Sequence, residues 1–253
     1  MKKIFFLFFA VALFFLHSCK KRGDFELPCK ILKMIEYRNY IPENPFQITT
    51  LSFNYNSYGE ITSLVFDKIE TGKPNHYFKY DTKHRLVQYY GIYSPGNYEY
   101  FTNYYYNRNN LISYDTSFYA GTDITRPYET FQLYFVNHYS YDAEGRISKI
   151  DFTVSTDPNQ AIHTFYYSYD INGNLTSYIH GYDNKINFRR THPLLAFFDR
   201  DYSMNNSGTP LSYNSKKLPL TFSRNGIDPQ TIFRNMQVTE IIYSCNMGQN
   251  KND

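Results

Sequence analysis

Residues 139–150 read YSYDAEGRISKI, and residues 167–178 read YSYDINGNLTSY. Each places two aromatic residues two apart, then Asp, then Gly three positions on, then an aliphatic residue. Asp at the first corner of a type I turn accepts hydrogen bonds from the backbone that follows it. Gly at the fourth corner takes the left-handed conformation that closes a hairpin with a bulge. Residues two apart in a strand share a face, so Tyr139 and Tyr141 line one side and Ile147 opens the returning strand. The repeated letters encode one β-hairpin, written twice.

The same frame recurs along the chain. Phe53-Asn54-Tyr55-Asn56 leads to Gly59-Glu60-Ile61, and Phe78-Lys79-Tyr80-Asp81 leads to His84-Arg85-Leu86. His84 stands where the others have Gly, and His is among the residues that tolerate positive φ. Two copies read one residue shorter: Tyr104-Tyr105-Tyr106-Asn107 to Leu111, and Leu211-Ser212-Tyr213-Asn214 to Leu218. Asn56, Gly59, Asp81, Asp142, Gly145, Asp170 and Gly173 are therefore assigned to turn geometry and not to chemistry. The 28 Tyr and 22 Phe, with no Trp, suit pleated half-buried surfaces. The expected fold is all-β: an antiparallel meander of hairpins curled into a large sheet or a closed barrel.

This pattern resembles the YD repeat of Rhs-type secreted and cell-surface proteins, over Phe53 to Leu218. It is also similar to bacterial lipoproteins described as having a porin-like β fold. The resemblance implies stacked hairpins. The toxin-enclosing shell of the large YD-repeat proteins needs far more copies than this chain holds.

Longer connections at residues 67–75, 94–97, 120–129 and 155–161 hold much of the Pro and Gly. Tight turns thus gather at one end of the meander and long loops at the other. Loops on a rigid scaffold carry binding function more often than tight turns do, so a site is expected at the long-loop end or inside the curl. An irregular insert at about 184–210 breaks the repeat. Within it Pro193-Leu194-Leu195-Ala196-Phe197-Phe198 reads as a short helical or irregular plug near 193–200, begun by Pro193. Leu194, Leu195, Phe197 and Phe198 would close an open end of the curl.

The N-terminus, MKKIFFLFFAVALFFLHSC, joins Lys2 and Lys3 to an apolar run from Ile4 to Leu16. A spanning helix needs about 20 apolar residues, so residues 1–18 read as a secretory signal peptide. LHSC resembles the lipobox of bacterial lipoproteins, which implies cleavage before Cys19 and its lipidation. Residues 19–28 then form a lipid-anchored tether, and 29–253 a single β domain. Lys20-Lys21-Arg22 would lie against lipid headgroups. The expected location is the bacterial cell envelope, anchored to the outer membrane, with the periplasmic and surface faces both open. Of the remaining cysteines, Cys29 and Cys245 sit in strand-like runs, and an even pair in an oxidising compartment is a candidate disulfide. The alternative is two separate buried thiols.

The 26 basic and 23 acidic residues come close to balance once Lys2 and Lys3 leave with the signal. That excludes the clustered positive field a nucleic-acid partner requires. His76, His84, His138, His163, His180 and His192 show no metal-ligand spacing, and no nucleophile or phosphate-loop motif occurs. No catalytic residue, metal or cofactor is assigned. Asp199-Arg200-Asp201 reads as a solvated helix end with local ion pairs. Thr102 to Asn107 and Tyr89 to Tyr93 are the stretches in which some tyrosines must face outward. Strands of an outer-membrane barrel would alternate lipid-facing apolar with polar residues, whereas Lys, Asp and Asn occur here on both parities. The reading is a membrane-anchored, non-enzymatic binding or interaction module with a glycan or protein partner. The alternatives are a hydrolase-like enzyme acting on an envelope or dietary polymer, or a small apolar-ligand carrier.

Overall fold

The computed structural model describes residues 29–40, 44–154, 163–176, 181–208, 210–222 and 236–246. The expected signal peptide, the expected lipidation site Cys19, the loop at 155–161 and His180 lie outside them. Ten strands follow one another: β1 (Ile31–Tyr40), β2 (Asn44–Tyr55), β3 (Ile61–Phe66), β4 (Asn75–Tyr80) and β5 (Leu86–Ser94). β6 (Asn97–Tyr106), β7 (Ile112–Gly121), β8 (Phe131–Tyr141), β9 (Ile147–Val154) and β10 (His163–Tyr166) complete the meander. An insert then carries a small ribbon of β11 (Tyr182–Ile186) and β12 (Asn205–Ser207). The last strands are β13 (Pro210–Tyr213), β14 (Pro219–Phe222) and β15 (Glu240–Tyr243).

Thirteen strands form one antiparallel sheet in the order β10-β9-β8-β7-β6-β5-β4-β3-β2-β1-β15-β14-β13. The sheet is open, because its outer strands β10 and β13 are not neighbours. This decides against the closed barrel. The physical reason is the return of the chain: β15 pairs with the free side of β1, so the final hairpin extends that edge instead of continuing from β10. Cys29 and Cys245 flank this β1–β15 seam and are bonded, with Cα atoms 5.0 Å apart.

Every hairpin frame shares one turn. The side-chain oxygens of Asn56, Asp81, Asn107, Asp170 and Asn214 accept from the N–H groups two and four residues on, at 2.9–3.1 Å. Asp142 accepts from the Arg146 N–H at 2.9 Å. The third residue after each is left-handed: Gly59, His84, Asn110, Gly145, Gly173 and Lys217 have φ between 61° and 86°. The copies at Asn107 and Asn214 are therefore full length. Ile112 and Pro219 fill the fifth position that Ile61, Leu86 and Ile147 fill elsewhere, pairing with Tyr106 and Tyr213 across the turn. A register shift follows at each of these five turns, so the fifth and eighth residues after the Asp or Asn both face inward.

The tyrosine before each turn does more than pack. Tyr55, Tyr80, Tyr106 and Tyr141 donate their hydroxyls to the carbonyls of Ile31, Ile61, Leu86 and Ile112, at 2.7–2.9 Å. Each of the last three reaches the first strand residue of the preceding hairpin. Arg85 stacks over Tyr106 and Arg146 over Tyr169, again one hairpin along. The letters Y and D thus lock neighbouring hairpins together at the tight-turn end.

The inner face is covered by α2 (Pro193–Asp199), with α1 (Pro127–Thr130) a single turn on the other face. His192 caps α2 by accepting from the Leu194 N–H, and Pro193 occupies the first turn, where its missing N–H costs nothing. Leu194 and Leu195 are buried in the main core with Leu51, Phe53, Ile61 and Phe78. Phe198 packs on Phe78, Tyr89 and Tyr104 at 5.0–6.3 Å, and Phe197 on Tyr104 and Tyr139 at 5.7 and 5.5 Å. The plug therefore sits on the sheet's face, and each such ring pair contributes about 0.5–1.5 kcal/mol beyond area burial. On the outer face Phe101 and Phe118 form a second small core under Tyr128, Phe131 and Tyr134.

The connection at 94–97 is a two-residue turn, since β5 ends at Ser94 and β6 starts at Asn97. Gly96 at φ 78° makes it possible. No helix of the described residues is long and apolar enough to cross a membrane.

Candidate functional site: a cavity around Asp115

Aligning the hairpins on their turn residue exposes an exception. The eighth position after it holds Leu64, Tyr89, Ile150 and Phe222, all buried. In β7 the same position holds Asp115, which is 2 % exposed. The tenth position changes likewise, from Phe66 in β3 to Ser117 in β7, and the fifth position before the turn from Leu51 to Thr102 and Asn137. Cross-strand pairing sets Tyr104, Asp115 and Asn137 in one row, and Thr102, Ser117 and Phe135 in the next. The apolar layer of the first hairpin, already interrupted by His76 in the second, becomes a polar one in β6–β8.

These side chains surround a cavity of about 180 Å³, walled also by Tyr89, Tyr100, Phe135, Phe197 and Phe198. Asp115 Oδ1 accepts from Ser117 Oγ at 2.9 Å and Asn137 Nδ2 at 3.0 Å, and its Oδ2 accepts from the Tyr139 hydroxyl. The Ser117 hydroxyl in turn accepts from Thr102 at 2.9 Å. Burial raises the pKa of Asp115 against the lowering effect of Tyr139, Asn137, Ser117 and the charge of Arg200. Burial also lifts Tyr89, Tyr104 and Tyr139 well above the ordinary phenol value, so their hydroxyls stay protonated. Since a carboxylate only accepts, the Asn137 amide is fixed with Nδ2 towards Asp115 and Oδ1 away from it. That oxygen has no partner among the described residues. A buried carbonyl left so costs about 1–3 kcal/mol.

Arg200 enters from the C-terminal end of α2. It is the cap residue, in the left-handed conformation at φ 53°, and its N–H bonds back to Ala196 and Phe197. A residue other than Gly there costs on the order of 1 kcal/mol. Its guanidinium lies 3.4 Å from the Tyr167 hydroxyl and forms no ion pair among the described residues. Burial lowers its pKa, but Tyr167, Tyr139 and Asp115 outweigh that and the net shift is upward. Asp199 and Asp201, by contrast, are buried and both pair with Arg189, at 2.6 and 3.4 Å. The solvated helix end expected for Asp199-Arg200-Asp201 is corrected: Arg189, ten residues upstream, neutralises the acids and frees Arg200 for the cavity.

The expected turn residues all lie at the tight-turn end and do not converge. The long-loop end holds a second cleft of about 420 Å³, lined by Gly72, Tyr93, Tyr98, Glu99 and Tyr119. The insert carries a polar cleft of about 910 Å³ whose acids are engaged, Asp183 by Asn206 and the Tyr213 hydroxyl. Of the outward-facing candidates, Tyr105 stacks on Tyr114 at 4.4 Å and Tyr90 on Tyr77 at 5.3 Å, while Tyr89 and Tyr104 are buried. Among the described residues no three of His, Cys, Asp and Glu converge as metal ligands would.

No protein-family model matches the chain, and no curated protein matches it. Among solved structures it is similar to the TcdB2–TccC3–Cdc42 structure at 12% identity, covering 74% of this chain and 10% of that one, with a TM-score of 0.31. It is also similar to the Photorhabdus luminescens Tc holotoxin pore carrying a TccC3 mutation, at 11% identity, 76% and 11% coverage and a TM-score of 0.27. A TcdB2–TccC3 structure without the hypervariable C-terminal region gives 14%, 74% and 11%, and 0.26. The chain spans about a tenth of the length of each. The likeness is thus to Rhs-like toxin-complex proteins, and at these scores it carries no argument about what this chain does.

Proposed function

We propose that this chain is a lipid-anchored binding module of the bacterial envelope that holds a small ligand in the Asp115 cavity without turning it over. The observation that carries this reading is the state of Asp115. Three acceptor positions of the cavity's one acid are filled by Ser117, Asn137 and Tyr139, so it is a fixed structural charge and not a free base. No histidine or cysteine stands with it among the described wall residues. The open sheet favours this reading over an apolar carrier, which needs an enclosed barrel interior. Support for the anchor is the apolar run from Ile4 to Leu16 followed by LHSC.

Thermal unfolding of the chain from Lys20 against glycans, peptidoglycan fragments and fatty acids tests the binding reading. One class should raise the midpoint, since a ligand that binds only the native state stabilises it by mass action. The rise should vanish in Asn137→Leu. A flat response to every class removes the ligand-binding reading. For the anchor, Cys19→Ser should move the protein from the membrane to the soluble fraction.

A further inference from the structure

Resting on the binding-module reading, we propose that the Asp115 cavity takes the terminal acetamido sugar of a glycan and that the long-loop cleft takes the next unit. Size sets the first limit. An engineered cavity of about 150 Å³ admits benzene. At about 180 Å³ this one holds a single substituted six-membered ring and not two.

The walls set the second limit. Phe135, Phe197, Phe198 and Tyr100 face a ring with C–H surfaces, while Asp115, Asn137 and Arg200 face its polar rim. A wholly apolar ligand strands the polar groups, and a small ion leaves the rings unfilled. Asn137 Oδ1 needs a donor. The Arg200 guanidinium, unpaired in charge among the described residues, needs an acceptor. A secondary amide carries an N–H donor and a C=O acceptor on adjacent atoms, pointing opposite ways, one for each group. A carboxylate would satisfy Arg200 but brings no donor for Asn137 Oδ1, and it would sit beside the like charge of the buried Asp115.

The third argument is the exit. Ser117 lines the cavity, and Tyr119 lies two residues along β7, on the same face, lining the long-loop cleft. Tyr119 pairs with Tyr100 of the cavity wall across β6–β7, their rings 5.5 Å apart. A ligand leaving the cavity passes over these two rings into a cleft of about 420 Å³. Two compartments in line along one strand pair fit a chain end and its neighbour.

The test is isothermal titration of the full-length protein in detergent with N-acetylglucosamine, its β-1,4-linked dimer and trimer, and glucose. N-acetylglucosamine should bind and glucose should not. The dimer should gain about tenfold over the monosaccharide, the equivalent of one further stacked ring, and the trimer little more. Tyr119→Ala should erase the dimer's gain and leave the monosaccharide unchanged, and Arg200→Gly should weaken both. Equal binding of glucose overturns the acetamido assignment, and absence of a chain-length gain overturns the two-compartment track. Saturable binding of a fatty acid or peptide that Asn137→Leu abolishes overturns the sugar class while leaving the binding module standing. No binding by any probe, with the circular dichroism spectrum intact, sinks both.

Discussion

Mild acid should unfold this protein through two buried histidines. His76 is 2 % exposed and bonds the Tyr89 hydroxyl through Nδ1 at 2.9 Å, and burial pushes its pKa down to about 3. Burial, with the charge of Lys30, pushes His192 down to about 4. In the unfolded chain both take up a proton as the pH falls below about 6.5. The folded state gains nothing until its own lower pKa values, so the unfolded state binds more protons and stability falls with pH across that window. Between pH 7 and pH 5 the loss is about 2 kcal/mol per histidine, about 4 kcal/mol in all. Urea unfolding at the two pH values measures it. His76→Gln keeps a partner for the Tyr89 hydroxyl and cannot titrate, so its loss should be about 2 kcal/mol. With a slope near 3 kcal/mol per molar urea, the two proteins should differ by about 0.7 M in how far their midpoints move. Asp115, whose raised pKa acts in the opposite direction, is common to both and cancels from the difference. An equal shift in both proteins refutes the assignment to His76.

Further outcomes follow from the seam, the turns and a buried lysine pair. Reducing the Cys29–Cys245 bond, which closes a separation of 216 residues, should cost about 4–5 kcal/mol in denaturant unfolding. Asp142→Ala removes the acceptor of the Arg146 N–H and the partner of its guanidinium at 2.7 Å, and should cost about 1–2 kcal/mol. Gly145→Ala, at φ 77°, should cost about 1 kcal/mol on the same assay. Lys73 bonds Glu36 at 2.9 Å with both buried, so Lys73→Met removes the ammonium partner of a buried carboxylate that keeps the Gln237 N–H, and should cost about 3 kcal/mol. The double change Lys73→Met with Glu36→Gln should recover most of that loss.

The hairpins were legible because their code is local. Asp142 and Gly145 act within four residues, and an aromatic such as Tyr139 declares its face by alternation alone. The helix at Pro193 and its apolar face were readable for the same reason. The copies at Asn107 and Asn214 read one residue short because Leu111 and Leu218 place an aliphatic residue one position ahead of the frame. Ile112 and Pro219 hold the frame, and Pro219 does not look like a strand's first core residue. Pairing of β15 with β1 fixed the open sheet, and no short stretch encodes a partner two hundred residues away. Asp199-Arg200-Asp201 looked solvated because Arg189, its neutralising partner, belongs to a separate turn. Asp115 was visible in principle. Numbering every hairpin from its turn residue puts it where Leu64, Tyr89, Ile150 and Phe222 stand, and an acid in that column is the signal.

That column also says why a site forms in β6–β8 and not elsewhere. A repeat that builds its core from the same positions in every hairpin has no reason to change their polarity. The first hairpin fills them with Leu51, Leu64 and Phe66, as a core should be filled. The third and fourth fill them with Thr102, Asp115, Ser117 and Asn137, at the cost of a buried charge and an oxygen without a partner. Directly above, α2 ends on an arginine held left-handed, where glycine would sit without strain. Two local violations of independent origin, one in the sheet and one in the plug, meet at one cavity. Sequences break their own rules where function requires it, and the cavity lined by both Asn137 and Arg200 is what both breaks have in common.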